Sequence, residues 1–223
     1  MAALRQLPIF VVMIRLQDGR DNGQLPLYEK ETGKQQRNLI NKNMSLANIF
    51  LTSAIKRIKE YKALGDKTFA QLSDEQMLAQ PNHSSNSIAV IIRHMHGNML
   101  SRWTNFLTED GEKEWRQRDA EFEEQPSTKR DLLQMWEEGW RFFLTALESL
   151  QEEDLLKTIT IRTQPLLVVD AINRQMAHYS SHVGQIIYLG KWLKADDWHS
   201  LSIPKNGSGA YNQQLKQESL AKL

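Results

Sequence analysis

Cysteine is absent from the 223 residues, and its absence removes disulfide bonds, thiolate metal ligands and a cysteine nucleophile together. Any metal chemistry must rest on histidine and carboxylate. A dominant charge sign is missing as well. Lys and Arg number 28 against 27 Asp and Glu, a formal charge of +1, so no overall field draws the chain toward nucleic acid or an acidic partner. Long apolar runs are also lacking: LPIFVVMI, near the start, is about a third of a membrane span, is closed by Arg15 and has no small-residue cleavage site after it. There is no Gly-rich phosphate loop, serine-nucleophile motif, basic recognition helix or internal repeat. These absences predict a soluble, cytoplasmic protein without nucleic-acid or membrane partners, and its 40% hydrophobic residues suffice for a sizeable core.

What is present is helical periodicity, beginning at a change of character near Met44. Residues 1–43 are rich in Gly, Asn, Gln and charge without helical or alternating pattern, and read as a disordered or non-native extension, with Met44 as the true start. From there Leu46, Ile49, Phe50, Ile55, Ile58 and Leu64 recur at the helical period. A short helix in LSDEQMLAQP stops at Pro81, and a second long helix is expected from about Asn86 to Leu107. Residues 108–126 are charged, contain Gly111 and Pro126, and read as a long loop of the kind that lines a site mouth. Thr128 and Asp131 then form an approximate capping box for a third helix with the stripe Leu132, Trp136, Trp140, Phe143 and Leu147. The Thr/Ile alternation in LLKTITIRTQ is too short to found a sheet, and Pro165 stands where the fourth and longest helix is expected to begin. The pattern predicts an all-α four-helix bundle over 44–195, with short extra helices and a long loop between its second and third long helices. Residues 196–223 read as a surface extension packed through Trp198 and Ile203.

The fourth helix carries HYSSHVGQIIYLGKW, in which His178 and His182 fall four apart and so share one face, beside the core stripe Ile172, Met176, Val183 and Ile187. A metal clamp, a hydrogen-bonded pair of core histidines and chance all fit that spacing. Two ligands hold a divalent ion poorly, and a third is available from RHMHGN on the second helix, where His94 and His96 point to different sides. Periodicity does not choose between them. Three imidazoles would leave a coordination position open, as in a reactive rather than a structural site. His83 and His199 lie in loop-like sequence and read as solvated.

The two motifs in order, SIAVIIRHMHGNMLSRW and HYSSHVGQIIYLGKW, resemble the DinB-like, YfiT-like bundle superfamily, most closely a branch of unknown function in Bacillus-type bacteria, over about Met44 to the Tyr211 region. The resemblance implies a divalent metal on one histidine from the second helix and the H-x-x-x-H pair of the last, which by position are His94, His178 and His182, with His96 an extra. Neutral His nitrogens suit Zn, Ni, Cu or Fe and do not name the metal; Zn or Ni is expected first, Mn or Fe next. The resemblance further implies a small-molecule substrate, a homodimer, and a transferase using a low-molecular-weight thiol such as bacillithiol. The alternatives are a metal-dependent hydrolase and a non-catalytic metal-binding or ligand-sensing dimeric bundle.

Around that site Asn98 and Gln185 lie about one turn from His94 and His182 and could contact a metal-bound water or substrate, while Arg102, a further turn along, could pair with a substrate carboxylate. These three are the candidate catalytic residues. Trp103, Trp115, Trp136 and Trp140 read as core or loop-packing aromatics, and the carboxylates of EFEEQ and of Glu137 and Glu138 as a solvated face.

Overall fold

The computed structural model describes residues 45–221, so the expectations for residues 1–43 and for a start at Met44 lie outside the described residues. Ser45 opens the first helix, α1 (Leu46–Phe69), by accepting a hydrogen bond from the Asn48 amide. Its buried face is Leu51, Ala54, Ile58, Thr68 and Phe69, whereas Leu46 and Ile49 are exposed. The expected stripe is therefore rotated: Phe50, Ile55 and Leu64 lie half-buried at its edge, and the first turn projects beyond the packed face. A capping box between Ser73 and Gln76 starts the short α2 (Asp74–Leu78).

Helix α3 (Ile88–Trp103) is capped by Ser87 and is buried nearly all round. It ends before the expected Leu107 because Thr104 is already extended and Asn105 adopts a positive φ of 49°, which a continuing helix does not allow. The loop that follows contains one 3-10 turn, Asp119–Phe122. Helix α4 (Lys129–Glu148) starts on the expected Thr128–Asp131 capping box, and its stripe Leu132, Trp136, Trp140, Phe143 and Leu147 is fully buried.

The alternating segment does pair, contrary to expectation. Strands β1 (Thr158–Ile161) and β2 (Gln164–Leu167) form an antiparallel hairpin that puts Pro165 opposite Thr160, and α5 (Val168–Lys194) begins three residues after that proline. The two turn residues, Arg162 and Thr163, both have positive φ, the requirement of a tight I′ hairpin. Two strands alone are marginal, and Asp110 supplies the missing support: Oδ1 accepts from the Arg162 amide and Oδ2 from the Thr163 amide, each at 2.8 Å.

The four long helices pack as a bundle, α3 most extensively on α4 and α1 on α5. Trp103, Trp136, Trp140, Phe143 and Tyr179 form a contiguous aromatic core with Ile92, Met95 and Ile172. Trp115, by contrast, is exposed on the loop. An unexpected helix, α6 (Ser208–Leu220), follows in the C-terminal segment and buries no residue. Trp198 is half-buried against the end of the bundle, but Ile203 is exposed rather than packed. Among the described residues no helix is long and apolar enough to cross a membrane.

Candidate metal centre

Helix α3 delivers His94, only 6% exposed, to the face of α5 where His178 and His182 stand one turn apart. His94 Nε2 lies 3.4 Å from His178 Nε2, which lies 3.0 Å from His182 Nε2. The potential donor atoms of the three all fall within 4.8 Å of one another. His96 points elsewhere, its Nε2 2.9 Å from Glu138 Oε2 on α4, and His83 and His199 are exposed. The structure therefore brings together the three expected histidines and separates the other three.

Hydrogen bonding at the far side of each ring decides where the protons sit. Trp103 Nε1 is a donor only and gives its proton to Tyr179 Oη at 3.2 Å, so the phenol proton is directed to Asn98 Oδ1 at 3.0 Å. Asn98 Oδ1 therefore accepts, and Gln175 presents Nε2 to it at 3.5 Å, which turns Gln175 Oε1 toward His178 Nδ1 at 3.2 Å. Nδ1 of His178 carries the ring proton and Nε2 is left with a lone pair. His94 reaches the same state through Glu121, whose carboxylate accepts from Nδ1 at 3.0 Å, and His182 through Gln185 Oε1 at 2.9 Å.

Glu121 belongs to EFEEQ, so the expectation of a solvated face fails at this residue. Its side chain is 10% exposed and is clamped by Arg116, Nε to Oε1 at 2.7 Å and Nη2 to Oε2 at 2.9 Å. Burial raises its pKa, but hydrogen bonds from His94 and Arg116 outweigh burial and hold the carboxyl below its usual range. Room for it comes from Gly97 on α3, where a Cβ would collide with Glu121 Oε1. The 108–126 loop lines the site as expected, tied down by Arg93 to Glu123 O and Ser127 Oγ and by Ser101 to Gly111 O.

Of the candidate catalytic residues, Asn98 and Gln185 act on the histidines from behind. Arg102 is buried and already engaged, donating to Gly111 O and to Glu112 Oε2 at 3.0 Å. Glu121, Arg116 and Gln175 escaped the sequence reading. Gln175 was findable, since it precedes His178 by three residues on the same helix face as Gln185 follows His182.

Burial, reinforced by His182 and His94, pushes His178 down to about 3, and burial likewise lowers His182. Both rings are neutral near pH 7 and available as ligands. A tetrahedral zinc ion with Zn–N of about 2.0–2.1 Å sets its nitrogens about 3.3 Å apart, close to the 3.0 and 3.4 Å found between the imidazoles. The residues therefore fit a divalent ion: lone pairs facing one another repel unless a cation lies between them. Two hollows adjoin the cluster. A groove of about 820 Å³ runs past Gln185, Tyr188 and Trp192 but touches none of the three histidines. A smaller polar recess of about 220 Å³ is lined by His94 and His178 themselves, and chemistry at the imidazoles belongs to that recess despite its size.

Over residues 45–207 the chain matches a family described as a protein of unknown function (DUF1572). No curated protein matches it. That match spans most of the chain, including the three histidines, Glu121 and the helices that carry them, and the protein belongs to the DUF1572 family of unknown function.

Proposed function

We propose that the protein is a divalent-metal-dependent enzyme of the DinB-like, YfiT-like kind, with His94, His178 and His182 as ligands to zinc or nickel, or else manganese or iron, and with transfer to or from a low-molecular-weight thiol as its reaction. The observation that carries the reading is the direction of the rings: three buried or half-buried imidazoles turn their Nε2 atoms toward one another, each with Nδ1 held by an oxygen. When bound, the ion would lower the pKa of water or a thiol and polarise a carbonyl.

The chain's own residues do the rest. Glu121 and Gln175 fix the orientation of the His94 and His178 rings. Three protein donors leave room for an exogenous ligand. The chain has no cysteine, so a thiol must arrive as cosubstrate. The superfamily that the two histidine motifs resemble includes thiol-dependent transferases beside metal-dependent hydrolases, and transfer is the reading taken here.

Elemental analysis of untagged protein tests the metal. About one transition metal per chain is expected, retained in His96→Ala and lost in His94→Ala and His178→Ala. Absence of metal after reconstitution with zinc, nickel and manganese overturns the reading. Product analysis with and without thiol then separates transfer from hydrolysis, since turnover in thiol-free buffer makes water the nucleophile.

A further inference from the structure

The recess beside the imidazoles has walls of unusual charge. Five arginines line it, Arg102, Arg116, Arg118, Arg162 and Arg174. Two carboxylates answer them at close range: Glu112, shared by Arg102 and Arg162, and Glu121, held by Arg116. Arg118 lies 3.6 Å from Asp119, whose side chain is fully exposed, and spends its face on the Phe122 ring. Arg174 has no ion pair among the described residues. The wall therefore carries an excess of positive charge that does not depend on a metal.

One donor in this wall is left over. Arg116 has a side chain 2% exposed, with Nε and Nη2 on Glu121, while its Nη1 is buried and without a partner. A buried guanidinium donor of this kind carries a desolvation cost that an oxyanion ligand would offset. Guanidinium forks match carboxylate and phosphate oxygens in geometry as well as charge.

We propose that this recess binds the anionic end of the small-molecule substrate or cosubstrate, a phosphate or a pair of carboxylates, and so places its reactive end beside His94 and His178. The inference rests on the metal-dependent reading for its purpose, but the anion site exists without the ion. It makes Arg116 and Arg174 positioning residues and gives the partly neutralised Arg102 and Arg162 the role of shaping the wall.

Calorimetric titration of the full chain, metal-free and metal-loaded, with inorganic phosphate and separately with succinate tests it, sodium chloride of matched ionic strength serving as the control. Saturable binding of one anion per chain is expected in both forms, and which probe binds more tightly assigns phosphate or dicarboxylate. Arg174→Gln, an exposed position that leaves folding intact, should weaken binding about tenfold. Arg116→Gln should weaken it at least as much, with circular dichroism reporting whether the variant folds. No saturable binding of either anion to the metal-free protein, or equal binding in wild type and Arg174→Gln, overturns the proposal. Anion binding without metal uptake would instead retain the recess and refute the metal centre.

Discussion

Gly97 couples function to stability at a single residue. A methyl group there would collide with Glu121 Oε1, the movable end of a side chain, so the helix survives while the carboxylate is pushed off His94. Alanine in place of glycine inside a helix itself contributes about 1 kcal/mol. Gly97→Ala should nonetheless lower the melting temperature, because Oε1 is also the acceptor for the buried Arg116, and weaken metal affinity about 10–100-fold, the usual effect of losing a partner behind a ligand. Chelator competition measures this, and unchanged affinity would remove Glu121 from the centre. At this scale the sequence was legible where geometry is local. The i, i+4 histidines must share a face, and Gln185 lies within helical reach of His182. Glu121 was not legible, because its partner lies 27 residues away across a loop and a glutamate in a charged run looks the same whether solvated or buried.

Between elements, the hairpin shows how a loop carboxylate can replace good turn chemistry. Arg162 and Thr163 hold conformations that favour glycine or asparagine, and Asp110 compensates by accepting from both of their amides. It also links the hairpin to the recess, since Arg162 shares Glu112 with Arg102. Burial raises the Asp110 pKa, but bonds from the Glu112, Thr163 and Arg162 amides bring it from 3.8 down to about 2. A carboxylate with a depressed folded pKa stabilises the fold above its unfolded pKa and loses that contribution as pH falls through the folded one. Asp110→Asn should accordingly lower the melting temperature by about 2–4 °C at pH 7, the equivalent of about 1 kcal/mol. The difference from wild type should shrink below pH 4 and vanish only below pH 2. Parallel melting curves across that range check it, and a difference independent of pH would assign the effect to shape instead of charge. The hairpin was missed in the sequence because four alternating residues carry too little pattern, and the residue that secures them is about 50 positions away.

Across the whole molecule, the bundle was legible because burial follows the helical period: α4 and its capping box stand where the pattern put them, and the core stripe of α5 holds with Met176 and Ile187 at its edge. The end of the chain was less so, because α6 buries nothing and so left no apolar stripe to read. Its exposure makes a prediction that divides the C-terminal segment in two. The family match stops at residue 207, immediately before α6. Residues just after α5 are attached: Gln71 accepts from the His199 amide at 2.8 Å and donates to its carbonyl at 3.1 Å, while Trp198 closes over Gly190. A chain ending at Gly207 should melt within about 1–2 °C of the full protein, as expected for loss of surface contributing under about 0.5 kcal/mol, and keep its metal. A chain ending at Lys194 strips Trp198 from the bundle and removes both bonds between Gln71 and His199, leaving Gln71 only Lys67 O. It should melt several degrees lower. Equal melting temperatures for the two truncations would show that Trp198 adds nothing to the core, and a large loss on removing α6 alone would mean that the helix is covered in solution by a surface of the bundle or of a second chain.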